Sequence, residues 1–428
     1  MTTAPFAFEP PLARLGPGLQ TRLSIMMLLQ YAIQGAWLPL LYPYFNEYRG
    51  FVDTQVAALF TAAALGAIVS PFVAGQLADR YINAEKFLAI AHIIGAVFVW
   101  SFAEVTNFYV LMGLSFFYAI LYTPTLGVAN AVAFAHLPDR DRDFGKVRVF
   151  GTLGWILVGI GIGQWLFYKA GTDRAMQVLM MRDAFRLAAI LGMIQGLYSL
   201  TLPKTPPRRE EKNYAPGEAI KEIRLQPLIT IFLISIPIAA VHQFFFVRTS
   251  QFLGQLEELK QGAAWINQFF GVGGGGVMTI GQISELIVLA LMPFIAKRVP
   301  RKTLLSIGLL AYFLRFIAFA YFPYAWALLP ALALHGFVFG CFFFVCFMIV
   351  DEQTTPDIRS SAQGMFNLVV FGLGVIVGNL LVGILSSATR IDDKHTNWQL
   401  YYSIPAWITL GCLVAHLIFY PNRVRKVA

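Results

Sequence analysis

Glu285 and Gln282 lie three positions apart in the stretch from Val277 to Phe294, which holds no other ionisable side chain. On a helix that spacing puts both on one face. A carboxyl in apolar surroundings costs more to ionise than in water, and a nearby cation offsets the cost. These are the two conditions for a group that takes up and releases a proton. A permanently paired structural carboxylate is the other reading of the same residue. Arg148, Thr152 and Trp155 follow an i, i+4, i+7 stripe that offers donors and an aromatic plane together. An arginine cannot discharge itself, so Arg148 either snorkels at an interface or lines a polar cavity. The stripe favours the cavity. Gln30, Gln34 and Trp37 repeat the spacing, as do Tyr118, Tyr122 and Thr125, while His242 and Gln243 precede three phenylalanines, Phe244 to Phe246. His242 reads first as a packing residue, and Arg315 and His335 as structural or interfacial groups. Asp351 and Glu352 beside Arg359 read as an ion-pair cluster in a loop.

The elements that must hold these residues follow from composition. Of 428 residues 57% are apolar and only 13% are charged, against about 25% charged in a soluble domain. Spans of about 20 residues convert that apolar stock into roughly twelve helices. Apolar segments fall at 21–45, 54–78, 85–104, 107–135, 146–169, 184–203, 226–250, 275–297, 302–322, 325–350, 361–388 and 398–420. An all-α, twelve-helix integral membrane protein is therefore expected. Cys341, Cys346 and Cys412 all sit inside apolar runs and read as small core residues, with neither disulfides nor a metal site implied. His-Glu-x-x-His, Gly-x-Ser-x-Gly and Walker motifs are missing, so an enzyme is the weaker class and no cofactor is expected.

Residues 1–20 read as a retained tail, 21–203 and 226–421 as two six-helix halves, 204–225 as a hydrophilic linker, and 422–428 as a second tail. The halves echo each other. Gly75 to Arg80 at the end of the second span matches Phe294 to Arg298 at the end of the eighth, and Arg148 to Trp155 matches Arg359 to Phe366, 211 positions later. Lys and Arg number 22 on the side of both termini and the even-to-odd loops and nine on the other, with Arg315 inside a span. The positive-inside rule then makes both termini cytoplasmic. The net charge of +9 is thereby topological and implies no nucleic-acid partner. Gly271 to Gly276 reads as a flexible external loop.

Gly75-Gln-Leu-Ala-Asp79-Arg80 resembles the loop motif of the major facilitator superfamily, with its second glycine replaced and its trailing basic pair reduced to Lys86. An acidic side chain there can accept from a helix N-terminus. The resemblance implies a major facilitator fold of two pseudo-symmetric bundles, with Asp79 and Arg80 as gate residues. Longer stretches are similar to the bacterial nucleoside:proton symporter family: Tyr122 to Gly127 with Asn130, Arg148 to Gly154, Gln282 to Glu285, Leu314 to Phe316 with Ala320 and Tyr321, and Arg359 to Phe366. By match the likeness implies pocket roles for Arg148, Thr152, Gln243, Gln282 and Glu285. Where that family carries an acid on the tenth helix and an asparagine on the seventh, this chain has Phe344 and Phe246. Losing those partners for ribose hydroxyls points to a more apolar cargo.

The expectation is a secondary active transporter of nucleosides or a related polar-aromatic solute, driven by the proton gradient, working as a monomer in a bacterial inner membrane. Trp37, Trp155 and Phe343 would stack on a planar ring, with Gln34, Tyr122 and Phe246 beside them. Thr152, Gln243 and Gln282 would hydrogen-bond the cargo. Glu285 would carry the proton, with Arg148 stabilising its ionised form. A facilitator or symporter for a sugar or another metabolite is the alternative within this class. A non-transporting receptor is the alternative outside it, and the 204–225 linker leaves no room for a signalling domain.

Overall fold

A computed structural model describes residues 15–70, 81–206, 221–256, 268–272, 275–355, 359–392 and 395–421. Among them twelve long helices succeed one another, with short helical segments such as Arg174–Met180 between them. In the first half they are α1 Pro17–Trp37, α2 Asp53–Ser70, α3 Ala84–Glu104, α4 Phe108–His136, α5 Arg140–Ala170 and α6 Arg182–Ser199. In the second they are α7 Leu228–Gln255, α8 Gly275–Ile295, α9 Arg301–Tyr321, α10 Ala325–Glu352, α11 Ala362–Thr389 and α12 Trp398–Phe419. Ten of these stretches are long and apolar enough to cross a bilayer, the first of them running on from α1 to Tyr48. Their ends obey local rules. Pro17 opens α1, Asn107 accepts from the Tyr109 and Val110 N–H groups to start α4, and Asn397 accepts from Leu400 N–H to start α12. Large side chains such as Trp407, Ile384 and Phe294 stay exposed along these spans, as a lipid-facing surface requires.

Within the first half α1 packs on α5 and α6, α3 on α4 and α6, and α2 on α4. In the second, α7 packs on α11 and α12, α9 on α10 and α12, and α8 on α10. The halves meet through α2 with α11 and α5 with α8, two junctions that exchange when helix numbers shift by six. The fold is thus the two-bundle architecture expected from the internal echo.

One end of this assembly is sealed. It carries the α1–α2, α5–α6, α7–α8 and α11–α12 connections, which the charge rule assigns to the outside. Asp53 at the head of α2 accepts from Arg390 Nε (3.0 Å) and Nη2 (3.1 Å), from Tyr42 Oη (2.5 Å) and from Asn46 Nδ2 (3.2 Å). Arg248 of α7 reaches Asp53 at 3.9 Å and lies over the rings of Tyr42 and Trp398, each 4.7 Å from the guanidinium. Ser250 Oγ donates to the Pro39 carbonyl. Farther out, Arg174 forks onto Glu47 through two 2.8 Å bonds, and Gln164 Nε2 donates to the Phe269 carbonyl at 2.9 Å. Gly271, expected in a flexible loop, instead sits at φ +73° against the Gly163 backbone, and the next residue, Val272, donates its N–H to Gly163 O at 3.1 Å. A side chain at Gly271 would collide with that backbone, which is the reason for glycine here. Asp79 and Arg80 lie outside the described residues.

Candidate functional site

Close backbone approach builds the surroundings of Glu285. Gly281 faces the His335 ring, and Gly336 faces the Ser284 backbone so closely that a Cβ would fall 2.4 Å from Ser284 O. Ser284 Oγ also donates to the Ala333 carbonyl at 2.5 Å. α10 is interrupted at Leu334 and widens to i→i+5 turns over Val338–Phe344. These features draw α10 onto α8 and bring His335 opposite the carboxyl: His335 Nε2 lies 3.6 Å from Glu285 Oε2. On its other side His335 Nδ1 accepts from Arg315 Nη1 at 3.1 Å. The Arg315 guanidinium is fully buried beneath Phe245 (4.3 Å), Tyr312 (5.0 Å) and Phe316 (5.0 Å). His242 of α7 stacks on His335 with centroids 5.7 Å apart, and its Nδ1 is 2.6 Å from Tyr312 Oη. Phe246 and Phe343 stand edge-on to His242 at 4.8 and 5.2 Å.

The exposure pattern gives this cluster a front and a back. The Glu285 side chain keeps 15% of its surface, while that of His335 keeps 1%. Gln282 is buried, and its Oε1 has no protein partner among the described residues. A buried acceptor without a donor is costly, so this oxygen is suited to a ligand N–H or O–H.

The opposite wall is α5. It touches α8 where a Cβ on Gly159 would meet Thr279 Cγ2 at 2.8 Å. At 1.5 Å per residue, Trp155 and Thr152 lie about 6 and about 10 Å from that contact, and Gln282 and Glu285 about 5 and about 9 Å along α8. Trp155, Thr152, Gln282 and Glu285 therefore share a level. Arg148 lies about 16 Å along, deeper by more than a turn. It stacks on the Tyr31 ring at 4.1 Å, and no ion pair joins it to Glu285 among the described residues. Arg148, expected as the cation opposite the carboxyl, is thus displaced from it, while Arg315 stands one imidazole away, with His335 between them.

Other expected residues lie elsewhere. Trp37 packs on Phe102, Tyr118 and Phe185 at 5.5–5.7 Å inside the first bundle. Tyr122 is also buried there, its Oη donating to the Gln30 carbonyl at 2.6 Å. Gln30 itself donates to Thr125 Oγ1 and approaches His92 Nε2, both at 2.8 Å. The polar stripes on α1 and α4 are thus turned toward each other, forming an internal knot in place of a cavity wall. Gln34 is half-buried, and the Gln243 side chain packs against Gly378 of α11. Sequence reasoning set Arg315 and His335 aside and missed Tyr31, Asp53, Arg248 and Arg390. The usable signal was that Arg315 and His335 are ionisable residues inside apolar runs on consecutive spans. A cavity of about 450 Å³ between α2, α4 and α11, lined by Ala57, Leu65, Phe116, Leu380 and Ile384, is apolar apart from Thr54 and Thr61 and carries no charged group.

Comparison with known proteins yields a consistent set. The family model described as nucleoside H+ symporter matches residues 18–425. YegT of Escherichia coli (strain K12) is 29% identical over 93% of each chain. The nucleoside permease NupG of the same organism is 27% identical, covering 90% of this chain and 93% of NupG, and its xanthosine permease is 26% identical, covering 89% and 91%. The crystal structure of NupG superposes with a TM-score of 0.80 at 26% identity, covering 93% of this chain and 98% of NupG.

Proposed function

The chain belongs to the nucleoside H+ symporter family, and we propose that it moves a nucleoside and a proton together by alternating access between its two bundles. It is a transporter, not an enzyme, so its residues bind and release without making or breaking covalent bonds in the cargo. The cargo lies between α5 and α8, stacked on Trp155 and hydrogen-bonded by Thr152 and by the Gln282 carbonyl, which has no partner among the described residues. Phe246 and Phe343 close the site from the second bundle, where they pack around His242. Glu285 carries the proton at the same level, so cargo and proton occupy one hollow. With Asp53 bound by Arg390, and Glu47 and Asn46 accepting from Gln255 and Gln251 across the bundles, the hollow opens toward the opposite end, which the charge count assigns to the cytoplasm of a bacterial inner membrane. Asp79 and Arg80 would latch that end in the alternate state. Both bundles come from one chain, so a monomer completes the site. The sealed arrangement is the state that delivers cargo inward.

The single observation that carries this reading is a partly exposed carboxyl midway along α8, beside an amide oxygen that no group among the described residues satisfies. The test is uptake by proteoliposomes with an acidic exterior, offered radiolabelled uridine, adenosine, xanthosine and, as control, maltose. Accumulation of at least one nucleoside above its external concentration, abolished by a protonophore, is the expected result. Uphill uptake of maltose without any nucleoside would overturn the substrate class.

A further inference from the structure

We propose that Arg315 and His335 form a positioning pair that sets how readily Glu285 gives up its proton, an inference that rests on the coupling role assigned to Glu285 above. The chemistry follows from the donors. A guanidinium carries only N–H groups, so the 3.1 Å contact from Arg315 Nη1 obliges His335 Nδ1 to be the acceptor. The single imidazole proton then resides on Nε2, the nitrogen that faces Glu285 Oε2. His335 is thereby held neutral in one tautomer, presenting an N–H to the carboxyl. Taking a second proton would require it to release Arg315.

The arrangement also answers where the buried charge of Arg315 is balanced. No carboxylate lies within 4.0 Å of it among the described residues, its Nε and Nη2 have no hydrogen-bond partner there, and aromatic faces cover it. A cation deep in the bilayer is expensive unless a counter-charge is near. Glu285, one imidazole away, supplies it when ionised. The other titratable groups at this cluster are Tyr312 of α9 and His242 of α7, which engage each other, while Arg148 of α5 is held on Tyr31. Protonation of Glu285 therefore leaves Arg315 uncompensated, and ionisation restores the balance. Arg315 and His335 thus favour release of the proton once the hollow opens to the less acidic side. They act through Glu285 and need not touch the cargo.

The test is the pH dependence of proton-driven uptake in proteoliposomes, alongside exchange of labelled for unlabelled nucleoside, which needs no net proton movement. His335→Leu removes the N–H that faces Glu285, and Arg315→Gln removes the charge while keeping a donor toward Nδ1. Both are expected to move the pH midpoint of uptake upward by about one unit, a tenfold change in proton concentration, because the carboxyl then holds its proton to higher pH. His335→Gln can accept from Arg315 and donate to Glu285, and is expected to restore the native midpoint. An unchanged midpoint in Arg315→Gln that still exchanges nucleoside would overturn the proposal, and so would a midpoint in His335→Gln shifted as far as in His335→Leu. If Glu285→Gln retains uphill uptake, the underlying coupling assignment is what fails. If Glu285→Gln loses uphill uptake while the His335 and Arg315 variants keep the native profile, only this inference fails.

Discussion

Tryptophans 37 and 155 look alike in sequence, each ending a polar stripe at i+7, yet they occupy different environments. Trp37 is 5% exposed among Phe102, Tyr118 and Phe185, whereas Trp155 is half-buried, its ring edge against Gly35 of α1, and by helix rise lies about level with Glu285. Trp155→Ala is therefore expected to raise KM for nucleoside about tenfold or more, since a base–aromatic stack is worth about 1–3 kcal/mol. Radiotracer kinetics would check it, and an unchanged KM would remove Trp155 from the site. Gln30→Leu is expected to do the converse. It strips partners from Thr125 and His92, costing about 1–3 kcal/mol in thermal unfolding experiments while leaving KM unaltered. The sequence identified Glu285 and Gln282 because nothing else polar enough shares their run. It could not separate Trp37 from Trp155, since periodicity finds a face and leaves open what the face meets. It also undervalued His335, whose meaning arises only when Gly281 and Gly336 bring α10 against α8.

At the scale of helices, the seal at the end that the charge rule places outside is a set of buried charges whose partners come from both bundles. Asp53 is 2% exposed, and removing its charge takes away the carboxylate that Arg390 and the buried Arg248 share. Breaking such a pair costs about 3–5 kcal/mol, and only the closed state bears the cost. Asp53→Asn is thus expected to shift the protein toward an outward-open arrangement. The native cysteines Cys341, Cys346 and Cys412 are buried, so a cysteine placed at Ser250 provides a clean reporter. Its labelling by a membrane-impermeant thiol reagent added outside should accelerate about tenfold or more in the Asp53→Asn background, and an unaltered rate would contradict the seal. The helices themselves were legible from apolar runs, to within a few residues at most ends. α5 was the exception: it begins at Arg140, because the charged turn before Lys146 continues the helix beyond its apolar portion. The seal was not legible, because Asp53, Arg248 and Arg390 sit near span ends, where charges are commonplace.

Across the whole molecule, the junctions α2–α11 and α5–α8 are where the two bundles meet, and the proposed cycle rocks them about the level of Glu285 and the proposed cargo residues. The duplication was readable from Arg148 to Trp155 and its echo at Arg359 to Phe366, but the sealed end, and hence the direction in which the site opens, required coordinates. In the proposed mechanism coupling reduces to one requirement: the bundles exchange states readily when Glu285 is protonated with cargo present, and poorly when it is ionised and the hollow is empty. The most direct measurement is a comparison of Glu285→Gln with the native protein in proteoliposomes under an inward proton gradient. The neutral amide mimics the protonated state, so the variant should exchange nucleoside across the membrane yet fail to concentrate it. Accumulation by Glu285→Gln equal to that of the native protein would contradict the account.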